Sequence, residues 1–151
     1  MQLTKDFSLE EMTSSDTAIR RGIKEQFTPN DSVTYNLAEL CKNILQPLRE
    51  YVGAKVTVTS GYRCERLNKI IGGSSTSQHM IGQAADIKIE GKTPLEVCKI
   101  IDSLNLPFDQ LIEEFGIWTH VSFNVKKRRG QVLKAAKEVD GRTEYKPLIL
   151  R

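Results

Sequence analysis

Apolar positions along this chain follow two periods, and the period changes from segment to segment. Leu37, Leu40, Cys41, Ile44, Leu45 and Leu48 recur at steps of three and four, which predicts an amphipathic helix over Val33–Tyr51. Pro47 lies inside that span and should kink it or open its last turns. Gly53 is placed to end it. Val97, Ile100, Ile101 and Leu104 repeat the same period. Thr93-Pro94-Leu95-Glu96 opens that helix as a capping box with proline at the first helical position. Ser8-Leu9-Glu10-Glu11 reads as another capping box, starting a short helix to Thr13. Asp16 to Gly22 reads as a turn, Arg66–Ile71 as a short helix, and Asn30–Asn36 and Gly72–Ser77 as loops.

Elsewhere the period is two. Lys55–Thr59 is β-branched and alternating, and Ala84–Ile89 sets Ile87 and Ile89 on one face. Asp109–Glu114 and Trp118–Phe123 read as two strands around Phe115-Gly116-Ile117. Gln131–Val139 is a further strand, and Tyr145–Leu150 is extended. Two principal helices with four to six strands, several in adjacent hairpins, predict an α+β fold: one domain over residues 1–151 with a small antiparallel sheet.

Composition narrows the function classes. A chain of 151 residues buries about 68–70% of its unfolded surface and needs no staples. With 39% hydrophobic and 27% charged residues it is neither disordered nor fibrous. Its longest apolar runs fall far short of the ~20 residues that span a bilayer, so no membrane insertion is expected. One tryptophan, four tyrosines and five phenylalanines leave little for a base-stacking platform. The net charge of +3 is also too mild to call for nucleic acid.

The charge is unevenly spread. Asn124–Arg151 holds nine Lys/Arg against three Asp/Glu, a net of +6, and the rest of the chain is −3. The run Lys126-Lys127-Arg128-Arg129 reads either as a solvated turn or as a patch for an anionic polymer or surface. The three cysteines, Cys41, Cys64 and Cys98, are widely spaced and form no CxxC pair. Cys41 and Cys98 fall on apolar helix faces as core thiols, a pattern suited to a reducing compartment. Met1–Asp6 has no basic segment leading into an apolar stretch, so it does not read as a signal peptide. Synthesis in the cytoplasm is expected, and action outside it would need another agent for release.

Only two histidines are present, so a histidine-based site must use His79 and His120. Asp86 opens a strand seven residues after His79, and His120 lies within another. Two imidazoles and a carboxylate make a three-ligand zinc set that leaves a fourth position for water. Zinc lowers the pKa of such a water to about 7, and a carboxylate must then carry its proton to the leaving amine. Glu113 and Glu114 precede His120 by one hairpin. Strand alternation sends them to opposite faces, so only one can face the metal. Spacing alone leaves the other reading open, in which His79 is a loop histidine and His120 a satisfied core histidine.

Four blocks carry a resemblance: Ser60-Gly61-Tyr62-Arg63, Leu67-Asn68, Gly72-Gly73-Ser74-Ser75, and the stretch from Ser77 to Asp86. Together they resemble the zinc D-alanyl-D-alanine carboxypeptidase family, which includes phage peptidoglycan endopeptidases. Its SxHxxGxAxD signature is matched at Ser77, His79, Gly82, Ala84 and Asp86. Gln110–Glu114 followed by Trp118–Ser122 is similar to the family's second histidine motif. Phe7–Met12, Asp16–Ala18 and Gly22-Ile23 are similar to one branch common in phages and their hosts. The likeness covers Phe7 to Asn124.

The resemblance implies roles by position. His79, Asp86 and His120 would hold one zinc ion per chain. Arg63 would bind a substrate carboxylate or steady the oxyanion, against the alternative of a surface ion pair. Ser77 would support the same region by hydrogen bonding, and the glycines Gly72, Gly73 and Gly82 would bring the loop to the metal. Two departures bear on the base: Ile117 stands where many relatives have an acidic residue, and Trp118 where others have a histidine. Glu114 is preferred over Glu113 because it closes the strand nearest the turn and fits the family block better. Trp118 either walls the substrate cleft or simply packs. The activity implied is hydrolysis of a peptide bond in the peptidoglycan stem, by a monomer acting on bacterial peptidoglycan after release or from a virion. Two alternatives stand beside it: a non-catalytic wall-binding module of the same fold, and a cytoplasmic D,D-dipeptidase.

Overall fold

The structure, a computed structural model, describes residues 1–151. Its first third is helical. Ser8 caps α1 (Leu9–Thr13) by accepting from the Glu11 N–H, and Ser15 caps α2 (Asp16–Arg21) in the same way through Ala18. The stretch read as a turn is thus a short helix, closed by Gly22. A 3₁₀ turn follows at Lys24–Phe27. Asn30 then caps α3 (Asp31–Leu40) by accepting from the Val33 N–H. Most of the expected Asn30–Asn36 loop is therefore helix, because asparagine serves as an N-cap as readily as it serves a loop.

The long helix does not run unbroken to Tyr51. Cys41–Leu45 forms a π-helical turn in which the Gln46 N–H reaches back five residues to the Cys41 carbonyl, and α4 (Gln46–Val52) resumes after it. Pro47 has no N–H for the carbonyl four residues behind it. The expected kink is spread over the preceding turn as a widened one.

The sheet takes up the rest of the chain. In order come β1 (Val56–Ser60), α5 (Glu65–Ile70), a 3₁₀ turn (Gln78–Ile81), β2 (Ala84–Ile89), α6 (Pro94–Ser103), β3 (Gln110–Glu114), β4 (Trp118–Ser122), β5 (Gln131–Lys137) and β6 (Thr143–Pro147). Thr93 and Glu96 close the capping box of α6 in both directions. The six strands lie in the order β1-β2-β4-β3-β5-β6. Four pairs are antiparallel, as expected of the sheet, and one, β3 with β5, runs parallel. The cause is topological. β2 and β3 occupy both edges of β4, so β5 cannot form a hairpin with the strand before it and docks on the free edge of β3.

One face of the sheet is the core. Ala85, Ile87, Ile89, Leu111 and Val121 pack there against Leu37, Leu40, Ile44, Leu45 and Leu48, and against Val97, Cys98 and Ile101 of α6. Each leucine, isoleucine or valine among them contributes about 1.5–3 kcal/mol by leaving water. All three cysteines are buried and unpaired. Burial pushes the thiols of Cys41 and Cys98 up to about 12. No helix is long and apolar enough to cross a membrane.

The basic segment is built into the fold rather than trailing from it. Its strands β5 and β6 extend the sheet. In the run before them, Arg128 lies 5.4 Å over the Phe123 ring and donates to the carbonyls of Asn124 and Val125. Arg129 makes a forked pair with Asp109, at 2.8 and 2.9 Å.

Candidate metal centre

Asp86 on β2 and His120 on β4 are direct cross-strand partners, with Ile112 of β3 on the far side of His120. Alternation puts both side chains on the open face of the sheet, away from α6. His79 arrives from a different element, the 3₁₀ turn Gln78–Ile81, which Ser77 caps by accepting from the His79 N–H at 3.2 Å. Gly82 ends that turn at φ +78°, and a side chain there would press on the Val33 carbonyl at 2.7 Å. Gly61 has a different constraint, since a Cβ on it would collide with the Met12 carbonyl oxygen. The Gly61 carbonyl in turn accepts from His79 Nδ1 at 2.7 Å.

That hydrogen bond fixes the tautomer. With Nδ1 carrying the proton, His79 Nε2 keeps its lone pair. This atom is buried and has no hydrogen-bond partner. It points toward Asp86 Oδ1 at 3.3 Å, and His120 Nδ1 lies 3.1 Å from the same oxygen. One donor atom from each of the three residues falls within a 4.8 Å span, and all three residues are buried. Two donors bound to a tetrahedral zinc at 2.0–2.1 Å stand about 3.3 Å apart. The donor set and its spacing therefore fit zinc, and the unsatisfied Nε2 is the group it would satisfy.

The electrostatics agree with a cation site. Burial drives His79 down, toward the neutral form a ligand needs. Burial would raise Asp86, but the two histidines overrule it and hold the carboxyl well below its usual range. His120 is opposed by burial and still raised, because Asp86 and Glu114 favour its charged form.

Glu113 and Glu114 part as alternation requires. Glu114 stands on the open face, with Oε1 3.6 Å from His120 Nδ1 and Oε2 accepting from Trp118 Nε1 at 3.1 Å. Burial raises its carboxyl above the ordinary glutamate value. Glu113 is buried on the core face, where Oε2 has no partner. Trp118 does more than the two expected alternatives, since it lines the cleft, packs edge-on against Phe115 and holds Glu114. Arg63 is no surface ion pair. Its side chain is 13% exposed, one amino group donates to Asn68 Oδ1 at 3.2 Å, another lies 3.9 Å from Asp86 Oδ2, and Nε is buried without a partner.

The family sequence model described as Peptidase M15 matches residues 5–122. The chain belongs to the M15 peptidase family. No curated protein sequence matches it. M15 peptidases are zinc-dependent metallopeptidases, in agreement with the donor set found here. The match ends with β4, so β5 and β6 lie outside it.

Two supporting residues of this M15 peptidase, Gln26 and Asp109, escaped sequence reasoning, and a third, Asn68, stood there only as part of a resemblance block with no role. Gln26 is fully buried and ties down the Arg63 segment, donating to the carbonyls of Thr13 and Tyr62 and accepting from the Cys64 N–H. Nothing around it in the sequence marks it, because its partners lie up to 38 residues away. Asn68 holds Arg63 and also donates to the Ser74 carbonyl, which couples the two loops beside the metal ligands. Asp109 accepts from Gln78, next to His79, as well as from Arg129. Arg129 draws its carboxyl down to about 2.

These elements surround a cleft of about 1050 Å³. One wall is β1 with the loop 71–78, the floor is Asp86, Ile112, Glu114 and His120, and the other wall is the β5–β6 hairpin.

Proposed function

We propose that this M15 peptidase hydrolyses a peptide bond in the peptidoglycan stem, as a D,D-carboxypeptidase or an endopeptidase, using one zinc ion. The observation that supports it is the convergence of His79, Asp86 and His120 on the floor of an open cleft, with Glu114 beside them and Arg63 above Asp86. A bound zinc would supply Lewis-acid polarisation of the scissile carbonyl and acidification of a water. The protein's own residues do the rest. Glu114 accepts the proton of the attacking water and delivers it to the leaving nitrogen. Its raised carboxyl makes it a stronger base near neutral pH, and the Trp118 indole occupies Oε2 so that Oε1 is the oxygen facing the cleft.

Arg63 is aimed by Asn68 and has N–H groups to spare. It holds the anionic end of the substrate, or the oxygen that gains charge as the carbonyl is attacked. Ser77 fixes the turn that carries His79, and Trp118 forms part of the substrate wall. The enzyme works as a monomer on bacterial peptidoglycan, after release from the cell that makes it or from a virion.

Elemental analysis of freshly purified protein tests this reading. About one zinc per chain is expected, with its loss in His120→Ala. Assays on purified sacculi and on free D-Ala-D-Ala then separate wall hydrolysis from a cytoplasmic dipeptidase. Protein that takes up no zinc when it is supplied would sink the reading and leave a wall-binding module.

A further inference from the structure

The β5–β6 hairpin lies outside the stretch that matches the family, yet it forms one whole wall of the cleft. Its two faces differ. Pairing sets Leu133 opposite Pro147, Ala135 opposite Tyr145 and Lys137 opposite Thr143, and of this set Leu133, Lys137, Thr143 and Tyr145 line the cleft. Lys134 is opposite Lys146 and faces the other way. The register carries on into the metal site. Trp118, Glu114, Ala135 and Tyr145 form a single row across four strands. Ala135 is the smallest member of that row and leaves the Tyr145 ring room over the floor.

Lys137 is held in place. Its ammonium donates to Thr143 Oγ1 at 3.3 Å and lies 5.4 Å from the centre of the Phe115 ring. Asp86 and Glu114 are the only acidic residues lining the cleft, and both belong to the metal site. Four cations line it: Arg63, Lys88, Arg129 and Lys137. Arg129 is committed to Asp109. Arg63 and Lys88 stand on the β1–β2 side of His120, and Lys137 stands on the opposite side, two strands away. Leu133 is the β5 residue level with His120, so Lys137 is displaced from the metal site by two strand spacings and four residues along the strand, about 16 Å or about five extended residues.

Building on the peptidase reading above, the geometry points to a second anionic subsite at Lys137. There the hairpin takes a substrate carboxylate on the side of the metal opposite Arg63, with Tyr145 as the wall beside it. A substrate held at both points has its scissile bond between them. The preferred substrate is therefore a stem peptide that carries a free carboxylate on the side of the scissile bond away from Arg63.

Kinetics on soluble stem peptides, with their side carboxylates free or converted to carboxamides, test this on the zinc-loaded enzyme. Lys137→Met keeps the aliphatic stem over Phe115 and should raise KM about tenfold on the free acids, with kcat within about twofold. On the carboxamides it should match wild type. Lys137→Arg should restore most of the loss. Tyr145→Leu should raise KM on both forms, since it removes a wall and not a charge. Lys134→Met, on the reverse face, should change neither. Equal behaviour of Lys137→Met on acids and carboxamides, or a Lys134→Met effect as large as that of Lys137→Met, overturns the subsite in favour of general charge attraction. Wild-type enzyme that holds zinc and cleaves neither peptide form overturns the peptidase reading, and the subsite with it.

Discussion

The two faces of the central sheet are made from alternate residues of the same strands, and they have opposite chemistry. Going along β2 and β4, Ala85, Ile87 and Val121 enter the core, while Asp86, Lys88, Trp118 and His120 face the cleft. Glu113 and Glu114 are neighbours in sequence, yet one is sealed against the core and the other stands beside a metal ligand. A pleated strand thus separates structural from chemical residues at a resolution of one position. The separation also ties the site to one strand register. A one-residue slip of β4 against β2 would bury His120 and turn Val121 outward.

The contrast is sharpest at the glutamate pair. Glu114→Gln should lower turnover by about 10²–10⁴-fold while zinc content stays at wild-type level. Glu113→Gln should leave turnover within about twofold under the same assay. Equal losses in the two variants would break the facial assignment.

Next in size is the core face. Ile87 is fully buried, and Ile87→Ala should cost about 2–5 kcal/mol in a denaturant titration without loss of zinc. Lys88→Ala, one residue on and exposed, should stay within about 0.5 kcal/mol.

The smallest effect concerns the tie between the site and the basic segment. Asp109 titrates at about 2 because Arg129 bonds to it, against about 3.9 in an unfolded chain. Its folded value is the lower one, so its contribution is present in full above about pH 4 and fades as the pH falls toward 2. Because Arg129 is half exposed, solvent screening limits the contribution to about 1 kcal/mol. Arg129→Ala should reduce that pH dependence in thermal melts between pH 4 and 2, the Gln78 and backbone N–H bonds to Asp109 keeping the remainder.

Much of this was legible in the sequence. The β-branched alternation placed β1 and β2, the opening residue pattern placed α6, and the opposite-face assignment of Glu113 and Glu114 follows from the pleat alone. What escaped depends on distant partners. The parallel β3–β5 pair follows from which edges are free after β2, β3 and β4 have assembled, and no local pattern carries that information. Gln26 looks like any surface glutamine until the Arg63 segment closes over it. Pro47 announced a disturbance, but whether the helix bends or widens depends on packing around Cys41–Leu45.

The three buried cysteines offer a different use. Cys41 lies in the π-helical turn, Cys98 in α6, and Cys64 directly after Arg63, and none is exposed to solvent. A thiol reagent can reach each one only when its surroundings open, so labelling rates on single-cysteine versions would time three local openings separately. Cys64 would report the Arg63 segment, and Cys41 and Cys98 the core. The molecule therefore carries its own set of clocks, already placed on either side of the boundary between the candidate site and the core.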